Sequence, residues 1–313
     1  MNPDDITVVV PTYKGRDHLS AALESVYAQT VRPREVIVVD DRSPDDTAAV
    51  ARSLTPAAPV PVRVEVLARN SGGPARPLNV GVRLARTPWV AVLEQDDRMP
   101  PDRLALQAAA VREHPGCELS FGLVEVVGAD APPGLAEQFR ADPLHPLAVP
   151  GVPGGPPAVR LPGDQLLWAL VRRNVAVSNS NLLFSRSLWR RAGGFDESVK
   201  VVADLNFLLA ASRLTDAAFV NRVCLRYTYS ASSLCRTAGW DHEMQRVEYM
   251  RLRHPAACGR AEWWPRYWGW RAKAAAAARR GHLRTAARIG WLLLTSRAVV
   301  HHWRHRAEAA DAR

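Results

Sequence analysis

The chain has 313 residues, of which 47% are apolar and 23% charged, a balance that excludes wholesale disorder and is typical of a globular protein. Its net charge is +10, which raises the question of an anionic partner, and all but three of its 41 basic residues are arginine. Four cysteines without a C-x-x-C pair argue against a zinc site, and no signal peptide or run of about 20 apolar residues is present, so a cytoplasmic protein is predicted.

The first 100 residues alternate short apolar runs with segments of helical periodicity. Strands are predicted at 6–10, 35–39, 62–67 and 89–93. Helices are predicted at 17–29, about 45–54 and 78–86. This alternation indicates an α/β fold with a doubly wound, mostly parallel sheet of Rossmann type.

Three of the predicted strands end in polar residues. These ends are Pro11-Thr12-Tyr13, Asp40-Asp41 and the segment from Glu94 to Asp97. Because ligands bind beyond the carboxyl ends of the strands in such sheets, the three ends predict one shared site.

The second half of the chain differs in texture. Nine of the 24 prolines fall between 132 and 162, where extended backbone or a loop is expected, with or without a role in covering an acceptor. From 166 onward helices and strands resume, with a turn at 193–196 and a helix at 205–214.

Glu94, Asp96 and Asp97 follow a buried strand directly. Carboxylates packed together repel one another unless a cation or a proton intervenes, and a hard divalent cation is a natural partner. The alternative is a cluster that caps the helix expected after Pro101.

Five segments in this order resemble family-2 glycosyltransferases, which are inverting enzymes with the GT-A fold. The resemblance covers about 1–125 and, more loosely, 166–215. The segments are V-V-V-P-T-Y at 8–13, V-D-D-R-S at 39–43, N-S-G-G-P…N-V-G at 70–81, L-E-Q-D-D…P-D-R-L at 93–104, and G-G-F-D with Asp204 at 193–204.

The resemblance implies a nucleotide-sugar donor, most often UDP-linked. Pro11, Thr12 and Tyr13 would border the base, Asp41 would accept a hydrogen bond from it, and Glu94 would face the ribose. The other residues that the resemblance assigns to the donor are Asn79, Gln95 and Asp97. Arg76 lies two residues before Leu78, where the family has an arginine, and would either replace that arginine at the donor or be a solvated turn residue.

The resemblance also implies a metal-dependent hexosyl or N-acetylhexosaminyl transfer. Asp96 would bind Mn²⁺ or Mg²⁺, and Asp204 would be the general base for the acceptor hydroxyl. Asp204 is also consistent with a cap on a helix that begins at Leu205. The acceptor, a glycan, a lipid-linked sugar or a natural product, would meet Trp168, Asn179, Ser180 and Asn181, although core packing and a simple turn explain these residues as well.

Five residues depart from the family pattern. Glu94 replaces the first Asp of the metal motif, Leu78 replaces an arginine and Ala203 replaces a glutamate. Lys14 and Arg42 stand where the family has asparagine and glycine. A non-catalytic module that binds a nucleotide or a membrane is therefore the alternative function. A sugar nucleotidyltransferase is disfavoured, because no Gly-rich loop follows the first strand.

Three regions are predicted: a donor-binding half at 1–125, an acceptor-binding half at 126–240 and a helical appendage at 241–313. The appendage carries 15 basic and six acidic residues, and seven of the ten tryptophans of the chain lie from Trp240 onward. Its helices, roughly 262–279 and 283–306, would either touch a membrane surface through 260–306 or pack on the catalytic domain. No nucleic-acid-binding motif is found.

Overall fold

The structure is a computed structural model that describes residues 5–128, 156–172 and 174–230, together with five helical residues at 275, 278, 279, 283 and 287. The chain divides into two compact units, 1–233 and 234–313. The predicted three-part division and the role of the C-terminal appendage stay predictions, because most of 129–155 and 231–313 lies outside the described residues. No helix in the described part of the chain is both long and apolar enough to cross a bilayer.

The first unit is built on one eight-stranded sheet with the strand order β3-β2-β1-β4-β7-β5-β8-β6. The strands are β1 (Ile6–Thr12), β2 (Glu35–Asp40), β3 (Val62–Val66), β4 (Trp89–Val92), β5 (Leu119–Val127), β6 (Ala158–Leu161), β7 (Leu183–Ser185) and β8 (Ala217–Thr228). The helices are α1 (Leu19–Tyr27), α2 (Thr47–Ser53), α3 (Ala75–Leu84), α4 (Arg103–Glu113), α5 (Gly163–Arg172), α6 (Arg186–Arg191) and α7 (Ala203–Ala211).

The sheet confirms the predicted doubly wound, mostly parallel α/β architecture. Strands β1, β2, β3 and β4 pair in parallel, as do β5 and β8. Strand β7 runs antiparallel between β4 and β5, and β6 runs antiparallel to β8 at the edge. Every predicted strand of the first 100 residues is present, and α3 begins three residues earlier than predicted.

The centre of the sheet is buried on both faces, as continuous apolar runs require. Every residue of β1 is buried, and Val8 and Val10 form one core with α1 and β2. Helix α3 approaches β1 so closely that a Cβ on Gly81 would lie 2.3 Å from Cγ1 of Val9. The glycine of the N-V-G segment therefore serves helix-to-sheet packing.

The topology gathers the polar strand ends at one edge of the sheet. The carboxyl ends of β1, β2 and β4 lie side by side because these strands are parallel neighbours. Since β7 runs antiparallel to β4, the residues just before it, 178–182, lie at the same edge. The carboxyl end of β8 also reaches this edge, where the Thr228 N–H donates to Asp97 Oδ1 at 2.9 Å.

Two of the departures from the family pattern fall on left-handed backbone. Lys14 has φ = 53° and Arg42 has φ = 59°. The family's asparagine and glycine are the residue types that adopt this conformation at least cost. The substitutions therefore keep the loop geometry and add strain and positive charge.

We expect Arg42→Gly to stabilise the protein by about 0.5–1 kcal/mol, since relief of left-handed strain exceeds the added freedom of the unfolded chain. Urea unfolding of both proteins measures the difference. Arg52→Gly is the matched control, because Arg52 is equally exposed but helical, and it should destabilise the protein by up to about 1 kcal/mol. A loss of stability in both variants would contradict the strain at Arg42.

Candidate active site

The acidic residues after β4 form the centre of the site. Glu94 accepts hydrogen bonds from Ser178 Oγ at 2.8 Å and from Asn179 Nδ2 at 3.2 Å. Asp97 is 1% exposed and is bonded to the end of β8. Asp96 lies between them in sequence and is partly exposed, as Glu94 is. Because Glu94 is already bonded to Ser178 and Asn179, Asp96 is the carboxylate of this turn that is best placed to meet a ligand.

The pKa values of these carboxyls reflect their crowding. Burial, followed by the charges of Asp96 and Asp204, raises the pKa of Glu94 to about 7. Burial and the charges of Asp96 and Glu94 raise the pKa of Asp97 well above its usual range. Burial also raises the pKa of Asp96. The group therefore favours bound protons or a bound cation.

The carboxylates are not helix caps. Helix α4 begins at Arg103 with Asp102 at its N-cap, well beyond Asp97, so the capping alternative for the cluster is wrong. The donor set suits a hard divalent cation, because it consists of oxygen atoms in a crowded, negatively charged turn. Within the described residues no three His, Cys, Asp or Glu side chains are arranged to hold a metal by themselves. Mg²⁺ sites commonly use one or two carboxylates together with substrate phosphates, which is the arrangement that Asp96 permits.

Asp204 belongs to the same electrostatic group, although it comes from α7. Its charge is among those that raise the pKa of Glu94. The helix begins at Ala203 with Val202 at the N-cap, so the prediction that Asp204 caps a helix starting at Leu205 is wrong. Asp204 is 7% exposed, and Asn174 Nδ2 donates to its Oδ2. The Asn174 amide is oriented by the Ala176 N–H, which donates to its Oδ1 at 3.3 Å.

The segment 174–182 links Asp204 to the acidic turn. Ser180 Oγ accepts a hydrogen bond of 2.8 Å from the Glu94 N–H, and Asn179 has a buried Oδ1 without a partner among the described residues. Val177 has φ = 72°, which is strained for a β-branched residue and occurs between Asn174 and Ser178, the two residues that hold the carboxylates.

Asn181 is fully buried, as Ser180 is, and its side-chain amide is bonded to the main chain. Its Nδ2 donates to the carbonyls of Gly122 and Ala176 at 2.8 and 3.1 Å, and its Oδ1 accepts from the Gly122 N–H. These bonds revise the prediction that Asn181 meets the acceptor, because they commit its amide to the main chain. The side chain of Trp168 lies outside the described residues.

The ends of β1 and β4 are joined by Gln95. Its Oε1 accepts from Thr12 Oγ1 at 2.5 Å and from the Tyr13 N–H at 2.8 Å, and its Nε2 donates to the Tyr13 carbonyl at 3.0 Å. A Cβ on Gly15 would clash with this amide at 2.2 Å. Gln95 therefore positions the Thr12-Tyr13 segment, and Tyr13 itself is 40% exposed.

Asp41 is buried at the end of β2 and is held by the loop after β3. It accepts hydrogen bonds from the Ser71 N–H at 3.0 Å, from Ser71 Oγ at 2.8 Å and from Asn70 Nδ2 at 3.2 Å. Burial outweighs these bonds and raises its pKa. The asparagine of the N-S-G-G segment therefore helps to fix Asp41.

Asn79 was predicted to contact the donor, and its contacts revise that prediction. Its Nδ2 donates to the Phe195 carbonyl at 2.8 Å and to Glu197 Oε1 at 3.0 Å. Its Oδ1 accepts from the Phe195 N–H and from Trp189 Nε1. All of its hydrogen-bonding capacity is used in joining α3 to the G-G-F-D segment. Arg76, in the first turn of α3, is partly exposed.

Several residues that surround the acidic turn were missed from the sequence. Asn174 holds Asp204, and His18 and Arg98 lower the pKa of Asp96. Arg103 is fully buried and bonds to Gln107 Oε1 and to the carbonyls of Val92 and Leu182. Arg98 and Arg103 lie one and six residues after Asp97, and this spacing from the acidic motif is a sequence signal for both.

Comparisons with known proteins show what the chain is similar to. Residues 7–120 match the model of glycosyl transferase family 2. The succinoglycan biosynthesis protein ExoO of Rhizobium meliloti is 39% identical over 127 residues, which are 40% of this chain and 35% of that protein. The poly(ribitol-phosphate) beta-N-acetylglucosaminyltransferase TarS of Staphylococcus aureus is 30% identical over 134 residues, 42% of this chain and 23% of that protein. The chain thus spans well under half the length of these relatives.

Two solved structures share the fold. The structure of S. aureus TarS 1-349 in complex with UDP-GlcNAc has a TM-score of 0.59 at 22% identity and covers 80% of this chain and 65% of that one. The mannosyltransferase PcManGT of Pyrobaculum calidifontis, in complex with GDP-Man and Mn²⁺, has a TM-score of 0.53 at 22% identity and covers 99% and 85%. The sheet is therefore of the GT-A type, and residues 7–120, about a third of the chain, are similar to glycosyl transferase family 2.

Proposed function

We propose that this chain is a metal-dependent, inverting glycosyltransferase that moves a sugar from a nucleotide-sugar donor to a hydroxyl acceptor. The observation that carries the proposal is the concentration of Glu94, Asp96, Asp97 and Asp204 at the carboxyl edge of the sheet, where the charges of Asp96 and Asp204 help to raise the pKa of Glu94 and those of Asp96 and Glu94 help to raise the pKa of Asp97. Four carboxylates gathered at the ligand-binding edge are costly unless they serve a cation or a proton transfer.

The donor nucleotide is proposed to lie across the ends of β1, β2 and β4. Pro11, Thr12 and Tyr13 would border the base, with Asp41 accepting a hydrogen bond from it and Glu94 facing the ribose. A UDP-linked donor is favoured because the TarS structure holds UDP-GlcNAc, while GDP-Man in PcManGT makes a GDP-linked donor the comparison to test.

Asp96 is the proposed metal ligand, together with phosphate oxygens of the donor. When bound, Mn²⁺ or Mg²⁺ neutralises the charge that develops on the leaving nucleoside diphosphate. Asp204 takes the proton from the acceptor hydroxyl as its oxygen attacks the anomeric carbon from the side opposite the diphosphate, which gives single displacement with inversion. On the acceptor side, Asn179 is the residue proposed to meet the acceptor, while the fully buried Ser180 would act by holding the Glu94 N–H.

We expect a matching nucleotide sugar to raise the Tm of the full chain when Mn²⁺ is present. At about 100 times Kd the gain is about 2.7 kcal/mol, or roughly 5–10 °C for a protein of this size. Thermal shifts with UDP-, GDP- and dTDP-linked sugars measure it, with and without EDTA. Asp96→Ala should remove the effect of Mn²⁺, whereas Asp17→Ala, at a largely exposed carboxylate, should retain it.

Release of free sugar or its transfer to a simple hydroxyl acceptor, followed with the donor that binds, distinguishes an enzyme from a binding module. The proposal fails if no nucleotide sugar changes the Tm, or if Asp96→Ala behaves like the parent protein. Binding without any turnover would favour the non-catalytic alternative.

A further inference from the structure

We propose that Arg98 is a second ligand of the donor's diphosphate, one that acts without the metal. The assignment builds on the proposed function, because it takes the diphosphate of a nucleotide sugar to lie against the acidic turn. Its basis is the position of the Arg98 guanidinium beside Asp96 and Asp97.

The main chain fixes Arg98 in place. Its N–H donates to the Arg226 carbonyl at 3.1 Å, and the Arg226 N–H donates to the Arg98 carbonyl at 3.0 Å. This isolated antiparallel bridge ties the turn after β4 to the end of β8. Arg98 is therefore held at the carboxyl edge of the sheet, because it lies in the turn after β4 and its main chain is bonded to β8.

The guanidinium is only weakly engaged. Its Nη1 lies 3.4 Å from the Asp96 carbonyl and 3.3 Å from the Asp97 carbonyl, and both contacts are long for hydrogen bonds. No carboxylate in the described part of the chain forms an ion pair with it, although its charge lowers the pKa of Asp96. A planar guanidinium whose N–H groups are free to donate can form two parallel hydrogen bonds to two oxygen atoms of a phosphate.

The acidic turn is negatively charged, and a positively charged side chain beside it would help an anion to bind. Glu94, Asp96 and Asp97 would repel a diphosphate, so the anion needs positive charge in addition to any metal. Arg98 supplies a fixed positive charge next to these carboxylates, and it is partly exposed. A phosphate next to Arg98 would be bound by the guanidinium, and a metal ion would bind other oxygen atoms of the diphosphate.

Arg226 offers a matched control on the same bridge. Its guanidinium is turned away to Glu125, with Nε 3.0 Å from Oε2, so it is engaged in an exposed ion pair. Removal of either side chain changes the net charge by one and leaves the main-chain bridge intact. Only removal of Arg98 should affect the diphosphate.

The test compares the binding of UDP, GDP and uridine to the full chain, in EDTA and in Mn²⁺. We expect Arg98→Ala to weaken the tighter nucleoside diphosphate about 10-fold or more in both conditions, as charged hydrogen bonds are lost, and to change uridine binding by less than about 2-fold. Arg226→Ala should stay within about 2-fold for every ligand. Arg98→Lys, which keeps the charge but not the fork, should fall between the parent and the alanine variant, and it serves as the test if Arg98→Ala does not fold.

Equal weakening of uridine and the diphosphate, or an unchanged diphosphate affinity in Arg98→Ala, would overturn the role of Arg98 while leaving the proposed function standing. A parent protein that binds neither UDP nor GDP would overturn the proposed function first. A loss seen only in Mn²⁺ would show that Arg98 acts through the metal and would overturn its independent role.

Discussion

Exchange of Asp204 for asparagine should lower the turnover of sugar transfer by about 10²–10⁴-fold, the usual contribution of a general base. Asparagine keeps the size of the side chain, can still accept the hydrogen bond from Asn174, and cannot take up a proton. Donor binding should change little, because the base acts on the acceptor. Steady-state kinetics with the donor found by thermal shift, together with the Tm of the variant, measure both parts.

The control for Asp204 is another acid in the first turn of a helix. Asp164 holds the same place in α5 but is exposed, and its Oδ1 accepts from the Gln165 N–H. Asp164→Asn therefore repeats the change in helix-dipole interaction, worth about 0.3–1 kcal/mol, without touching the acidic group. If both variants keep their turnover, Asp204 is not the base, whatever the Tm values show.

The strands that build the donor side could be predicted because their signals are local. Runs such as I-T-V-V-V at the start of β1 and E-V-I-V-V at the start of β2 are apolar without alternation, which is what strands buried on both faces require. The polar residues at their ends then locate the ligand-binding edge by topology alone. The acidic turn was found in this way.

The contacts made at a distance could not be predicted. Asn79 stands in a motif that suggests ligand binding, yet its partners are Phe195, Glu197 and Trp189, more than 100 residues away in sequence. Asn181 is likewise committed to Gly122, 59 residues distant. A single sequence shows that an amide is present but not which groups the fold brings to it. The short strand β7, which carries Asn181 to the edge, has too few residues for a periodic signal.

Arg103 is the sharpest case, because the helical spacing does contain a signal. Arg103 and Gln107 lie one turn apart on α4, on the face that also buries Leu104 and Val111. An arginine on the buried face of a helix destabilises the protein unless the fold supplies hydrogen-bond acceptors for its guanidinium. Here the guanidinium donates to the Val92 and Leu182 carbonyls, both at 3.2 Å, and so joins the end of β4 to the start of β7.

We expect Arg103→Ala to destabilise the protein by about 3–5 kcal/mol, which lowers the Tm by roughly 6–20 °C in a protein of this size. Burial opposes the charge and lowers the pKa of Arg103 to about 10, so the guanidinium still carries its proton at neutral pH. Removal of the side chain would recover the free-energy cost of burying its charge. However, Val92 O, Leu182 O and Gln107 Oε1 would each lose a charged donor, and one of the largest fully buried side chains would leave a cavity.

Two further substitutions separate these contributions. Arg103→Met fills most of the volume of the side chain but supplies no hydrogen-bond donor, so it should regain only the part of the unfolding free energy that the cavity costs. Arg52→Ala, at an exposed arginine in α2, should change the unfolding free energy by no more than about 0.5 kcal/mol. If Arg103→Met is as stable as the parent, the hydrogen bonds do not offset the burial of the charge. In that case the arginine serves function rather than stability, because Val92 borders the acidic turn and Leu182 borders the turn at 179–181. The rise in Tm that a nucleotide sugar produces with Mn²⁺ should then be smaller in Arg103→Met than in the parent, although the two proteins have the same Tm without ligand.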